Sequence, residues 1–416
     1  MTRRHVVLGL VSTAALWPRR VDAWSSSGTV PVTVKFCPSV EHLHALLRSG
    51  QRRAVLLDGD LPMVDRDLLA AVTAAGGIAL IVEGTRRRRE WDQLGAAAVL
   101  PSTFDERQFL DAINPHAGSE VPARTTGTHA PLVAVTGPGG TGVSVTAIAL
   151  AQGFAASRPR VVLVDCCLHA EQSMLHNAHG AQPGLMELVE LHAAGAPSVR
   201  QIRQLTIGIV ERGYHLLVGL RRARHWSTLR QASLLATLQS MRSAFDVVVA
   251  DVDADVDGEE QTGSVEVEER NSLARTVVSH ADLVLVIGQP SMKGVYALVR
   301  TIMDLLEFGV APRRLLPVVN RASGAAGARA ELSRAVRQLI SDVAGGSAVS
   351  PPLFLPDVPL ENELRDRDAL PQALPRALAT AVDAVLARDG VTAAPDVPEP
   401  RRIPPGTMGH WSGERS

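Results

Sequence analysis

The chain has 416 residues, enough for two or three domains, and a formal charge of -1 gives no global electrostatic reason to bind nucleic acid. Hydrophobic residues at 46% and charged residues at 20% read as soluble and globular. Three cysteines, Cys37, Cys166 and Cys167, exclude a disulfide framework, show no zinc spacing and fit a reducing cytoplasm.

The first 24 residues mimic a secretory leader, opening with the arginine pair Arg3-Arg4 before an apolar stretch and "VDA". The reading preferred here is a first strand, "HVVLGLV" (5–11), followed by a loop. Four more apolar runs follow as strands: "VTVKF" (32–36), "AVLLDG" (54–59), "IALIVEG" (78–84) and "AAAVLPS" (96–102). Between them, "SVEHLHALLRSG" and "RDLLAAVTAAGG" are apolar at helical spacing and close on Gly. Strand–helix alternation predicts a parallel sheet covered by helices, a first domain over 1–113. The basic run "TRRRREW" (85–91) is a solvated surface.

Residues 114–131, rich in Pro, Gly, Ser and Thr, read as a linker. A second domain over 132–388 repeats the α/β pattern. Its strands are "LVAVTG" (132–137), "RVVLVD" (160–165), "YHLLVG" (214–219), "FDVVVAD" (245–251), "ADLVLVIG" (281–288) and "RLLPVVN" (314–320). They are continuously apolar, as strands buried on both faces should be. The tail 389–416 is too proline-rich for a helix or core and reads as disordered. No uncharged apolar run reaches the roughly 18 residues of a membrane span.

The chemistry concentrates in "GPGGTGVS" (137–144). It matches the phosphate-loop pattern G-x-x-x-x-G-K-[ST] everywhere except the lysine, which is Val143. A strand precedes it and a helix follows. Gly137, Gly139, Gly140 and Gly142 let the backbone curl, so that amides from Thr141 to Val145 face one anion at a helix N-terminus. Ser144 stands where a hydroxyl would ligate Mg2+. Asp251 and Asp165 end apolar strands and are the acids expected beside that metal. Val143 cannot neutralise charge on the β- and γ-phosphates. Lysine is rare here, with only Lys35 and Lys293 against 40 Arg, yet compositional drift would leave Arg and keep the charge.

These residues resemble the MinD/ParA class of P-loop ATPases, whose loop reads K-G-G-x-G-K-[ST]. On "PGGTGVSV" the class's first lysine falls on Pro138 and its second on Val143. Its D-x-D falls on Asp165-Cys166-Cys167, so the acid that positions the attacking water is Cys167. "VVNRASG" (318–324) resembles the late strand whose Asn contacts adenine, here Asn320, and 351–371 resembles its C-terminal segment. The nearest likeness is to the actinobacterial CpaE-like branch, which includes septum-site-determining proteins. That resemblance implies a receiver-like first domain joined to a MinD-like one, two doubly wound parallel-sheet folds. In the receiver-like half Asp58 sits at the phosphoacceptor position. Strand one lacks its acids and Ser102 replaces the lysine, so docking is expected rather than phosphorylation.

Two signals are declined. "DVDADVDG" (251–258) mimics a calcium loop, but Ser264 stands where its Glu belongs. The 13 His show no metal pattern.

The resemblance implies a cytoplasmic spatial regulator or scaffold, recruited to septum or pole, serving septum-site determination or pilus/secretion assembly. It would bind ATP or ADP with Mg2+ weakly and hydrolyse it poorly. It would form a homodimer and meet division or pilus/secretion proteins, reaching membrane only through partners and without direct nucleic acid contact. The alternative is an active ATPase cycling between dimer and monomer, its missing charge supplied by an Arg or by Lys293.

Overall fold

Val, Leu and Ile runs form strands where both faces of a sheet are covered. The computed structural model describes residues 5–12, 15–48, 54–84, 89–113, 129–178, 184–341, 343, 345–366 and 368–388. There these runs build two sheets. The first holds β1 (His5–Leu10), β2 (Val32–Cys37), β3 (Ala54–Asp58), β4 (Ile78–Val82) and β5 (Ala98–Leu100). Every pair is parallel, in the doubly wound order β2-β1-β3-β4-β5. Alternate residues serve opposite cores: Val55 and Leu57 pack with Leu8, while Leu56 packs with Val7.

The second sheet holds β6 (Leu132–Thr136), β7 (Val161–Cys166), β8 (Ile207–Ile209), β9 (Tyr214–Leu217), β10 (Val247–Val252), β11 (Leu283–Gly288), β12 (Leu315–Ala322) and β13 (Leu353–Pro356). Its order is β13-β12-β11-β6-β10-β7-β9-β8, parallel except for the β8–β9 hairpin. Both sheets are thus doubly wound α/β, as the strand–helix alternation predicts. Leu132 and Ala134 face one core, Val133 and Val135 the other.

The sequence reading differs from the structure at three places. The residues after β1, expected as a loop, form the helix Trp17–Ser27, with Pro18 in its first turn and Gly28 closing it at φ 75°. β8 and β13 are not among the predicted strands; both are short, and β13 ends in a proline at the sheet edge. Residues 114–128 of the linker and the whole tail 389–416 lie outside the described residues. Among the described residues no helix is long and apolar enough to cross a membrane.

Two features fix the helix Val143–Ala155 that follows β6. Gln152 exchanges two hydrogen bonds of 2.8 Å with the backbone of Leu370. A Cβ on Gly153 would lie 2.1 Å from the Pro375 carbonyl, so this helix and the helix Ala373–Arg388 meet backbone to backbone.

The sheets are joined by three consecutive charged residues at the start of the helix Arg66–Ala74. Asp65 pairs with Arg230 at 2.6 Å. Arg66 donates to the carbonyls of His192 (2.8 Å) and Gly195 (3.2 Å), at the negative end of the helix Gly184–Ala194. Asp67 accepts from the backbone N–H groups of Ala232 (2.9 Å) and Ser233 (3.2 Å) and from the Ser233 hydroxyl, capping the helix Gln231–Ala244. Asp67→Ala is expected to lower stability by about 1–2 kcal/mol, the worth of a lost helix cap, in denaturant unfolding.

His192 lies beside this junction. Burial, with the Arg66 charge adding, pushes its imidazole down to about 4. Its Nε2 bonds the Ser240 hydroxyl at 2.8 Å. A depressed pKa contributes stability fully present above the unfolded value of about 6.5 and lost as pH falls toward 4. Between pH 7 and 4.5 the thermal midpoint should fall further in the parent chain than in His192→Gln; parallel curves would contradict this.

Candidate nucleotide and metal site

The loop leaving β6 turns through glycines because side chains have no room there. Gly142 sits at φ 93°, and a Cβ on it would lie 2.5 Å from Asn320 Nδ2. A Cβ on Gly137 would lie 2.4 Å from the Ile287 carbonyl on β11. Neighbouring elements pin the loop from outside. Asn320 Nδ2 donates to the Thr141 carbonyl and Gln289 Nε2 to the Gly140 carbonyl, both at 2.9 Å. The Thr141 hydroxyl donates to the Pro138 carbonyl at 2.7 Å. Gly142 caps the helix Val143–Ala155 without a side-chain bond, and the first intrahelical bond runs from Thr146 N–H to the Gly142 carbonyl. The first-turn amides of Val143, Ser144 and Val145 therefore have no helical partner and suit an anion.

The loop opens on a cleft of about 620 Å³ lined by Gly137, Gly139, Gly140 and Gly142 through Val145, with Cys167 and Asp251 opposite. A neighbouring hollow of about 320 Å³ is lined by Asn320, Thr146 and the segment Leu355–Glu361. Gly142, Val145 and Arg321 line both. Asn320 is committed at both ends of its amide, to the Thr141 carbonyl and to Arg321 N–H. Val143 begins the helix, half-buried against the core below the loop. Lys293 does not line the cleft; the cations that do are Arg270, bound to Asp255 at 3.0 Å, and Arg321, which stands at φ 55°.

Across the cleft the sheet's register sets two acids side by side. Asp165 and Asp251 are paired positions on β7 and β10, and both are buried. Asp165 accepts from the backbone N–H groups of Cys167 (3.3 Å) and Gln172 (2.9 Å). Asp251 Oδ2 accepts from Gln172 Nε2 at 2.6 Å, while its Oδ1 is buried without a partner. Burial first, and Asp251 second, push Asp165 up to about 7. Burial likewise raises Asp251, against the hydrogen bond from Gln172. The Cys167 thiol is raised by burial and by both carboxylates.

The sequence reading missed Gln172. It is fully buried, bridges both acids and also donates to the Ser144 carbonyl at 3.2 Å. His176 backs it, bonding the Gln172 carbonyl and the Tyr214 hydroxyl at 2.7 Å each. A polar residue opening the four-residue helix Gln172–Leu175 gives no spacing signal. In the first sheet Asp58 accepts from Ser12 Oγ (2.6 Å), Ser12 N–H (3.1 Å) and Asp60 N–H (3.0 Å). Ser102 is exposed, its carbonyl accepting from Arg20 at 2.6 Å. In the declined calcium segment Asp253 accepts from Leu168 N–H at 2.7 Å, and Asp255 from Asn271 Nδ2 at 2.8 Å.

No family model matches the chain, and no curated protein does. Among solved structures it is similar to a ParA family ATPase from Chlorobium tepidum, at 16% identity over 62% of this chain and 98% of that one, TM-score 0.47. A Cyanothece McdA variant in complex with ATP is 17% identical over 64% and 98%, TM-score 0.44. The septum site-determining protein MinD from Pyrococcus horikoshii, complexed with Mg-ADP, is 16% identical over 62% and 98%, TM-score 0.44.

Gly142→Ala should cost about 1–3 kcal/mol in denaturant unfolding, through a disfavoured φ and the clash with Asn320. Unchanged stability would mean that the loop relaxes freely.

Proposed function

We propose that this chain is a spatial regulator or scaffold of the MinD/ParA type that binds ATP or ADP with Mg2+ and hydrolyses it poorly. One observation carries the reading: the glycine loop 137–142 is held in a tight curl beside a helix N-terminus free of side-chain caps, while position 143 is valine. Main-chain amides suffice to bind phosphate oxygens. Transfer also needs charge neutralised where it grows, which Val143 does not do.

The residues fit a magnesium nucleotide in part. Ser144 and Asp251 face the cleft, and the unpartnered Asp251 Oδ1 is the kind of acceptor that holds a metal-bound water. The 620 Å³ cleft suits the phosphates, and the 320 Å³ hollow beside Asn320 suits the base. When bound, Mg2+ would neutralise phosphate charge; the chain's own part is to hold the phosphates on loop amides and fix Ser144 at the helix start. Pro138 and Cys167, where the resemblance places a lysine and an acid, leave the catalytic set incomplete.

The setting is a homodimer, cytoplasmic, recruited through partners to septum or pole for division-site or pilus/secretion work. The first sheet has the 2-1-3-4-5 order of receivers, and the Asp65–Asp67 junction supports docking as its role. Asp58, already bonded to Ser12, is not proposed as a phosphoacceptor.

Calorimetry with ATP and Mg2+, paired with phosphate release, tests the reading. Binding with turnover below about 0.1 per second, under the usual enzyme range, supports it. Val143→Lys should tighten ATP binding by about one to two decades, the worth of one charge-assisted hydrogen bond. One observation favours the active-ATPase alternative: Arg321 lines both hollows and, among the described residues, makes no ion pair. Faster turnover that Arg321→Ala abolishes would establish that alternative.

A further inference from the structure

Two buried carboxylates and a thiol converge where no lysine reaches. The Asp165 and Asp251 carboxylates and the Cys167 sulfur offer ligand atoms that all lie within 4.8 Å of one another. The convergence is built by the backbone. Asp165 and Asp251 are register partners on β7 and β10, and the turn after β7 brings Cys167 back until its N–H reaches Asp165 Oδ1. Cys166, one residue earlier, points into the hydrophobic core and takes no part.

A second observation is independent of the clustering. Asp251 is 1% exposed, and its Oδ1 has no hydrogen-bond partner. An unpaired buried acceptor costs free energy unless something positive meets it. The cations lining the cleft do not serve: Arg270 pairs with Asp255, and neither it nor Arg321 bonds Asp251. One oxygen of each acid is held by Gln172, whose N–H bonds Asp165 Oδ2 and whose side chain bonds Asp251 Oδ2. Such outer bonds commonly fix metal ligands in place.

We propose that Asp165, Cys167 and Asp251 form a binding site for a thiophilic divalent cation of the Zn2+ or Co2+ class, occupied without nucleotide. Mg2+ takes hard oxygen ligands in near-octahedral array, and a cysteine in the set works against it. Zn2+ accepts one sulfur at about 2.3 Å and carboxylate oxygens at about 2.0–2.2 Å, with a fourth position for water or a phosphate oxygen. Cys167, Asp251 and Ser144 line the cleft, so a fourth ligand would come from that side. The cation would supply the positive charge that neither Val143 nor Pro138 brings.

The test uses the full chain, stripped with chelator and free of nucleotide. Calorimetry should show one Zn2+ per chain, bound at least about 100-fold more tightly than Mg2+. Co2+ loading should produce thiolate-to-metal charge-transfer absorption. Cys167→Ser should abolish that band and weaken Zn2+ at least about tenfold, while Cys166→Ser leaves the band in place. Asp251→Asn should weaken Zn2+ and keep the band. Cys167→Asp, which restores an all-oxygen set, should narrow the Zn2+ over Mg2+ preference. Zn2+ no tighter than Mg2+, no sulfur band, or a band surviving Cys167→Ser would overturn the proposal. ATP calorimetry on the same preparations reports on the nucleotide reading separately, so either can fail alone.

Discussion

Two carboxylates in register on adjacent strands are the constraint around which this end of the second sheet is arranged. β7 and β10 cannot shift against each other without losing a ladder buried on both faces, so Asp165 and Asp251 stay neighbours. Burial first, and the neighbouring Asp251 second, drive Asp165 toward its neutral form. The surrounding structure answers with donors. The turn after β7 aims the N–H groups of Cys167 and Gln172 at one acid, and the Gln172 amide at the other. The uncapped start of the helix Val143–Ala155 adds its positive end across the cleft.

The phosphate loop rests on a different kind of support. Its shape comes from outside, from Asn320 on β12 and Gln289 beyond β11, and from glycines that leave no space for a Cβ at 137 and 142. None of these supports involves the side chain at position 143. The loop's shape is therefore independent of the charge carried at position 143. Lysine's usual work in such a loop is done on the ligand, not on the protein's own backbone.

Much of the fold was legible because strands buried on both faces leave unmistakable runs of Val and Leu, as at 247–252 and 283–288. β8 escaped because three residues in a hairpin carry no period, and β13 because it is only four residues long with prolines before and at its end. The helix after β1 was hidden by resemblance to a leader, although Pro18 and Gly28 mark its ends. The glycines, Ser144, Asp165 and Asp251 could be picked out because each sits at a strand end or helix start; the glycines, Ser144 and Asp251 line one cleft, and Asp165 is buried beside Asp251. Gln172 could not, since its importance lies in reaching two strands at once. Asp65, Arg66 and Asp67 look like an ordinary charged helix start, and only the second sheet's helix ends give them partners. Cys167 illustrates the same limit: spacing gives no signal, because its neighbours Asp165 and Asp251 come from the ends of two different strands.

The junction and the acid pair share one stretch of chain. Asp67 caps the helix Gln231–Ala244, which leads through Asp246 into β10 and so to Asp251. Asp246 is clamped to Arg160 by bonds of 2.9 and 3.0 Å, tying the start of β10 to the start of β7. The helix is thus held at its first turn by the other sheet and just past its end by β7. A segment fixed at both ends transmits displacement instead of absorbing it, because packed interiors deform little. Movement of the first sheet against the second would therefore bear on the strand carrying Asp251.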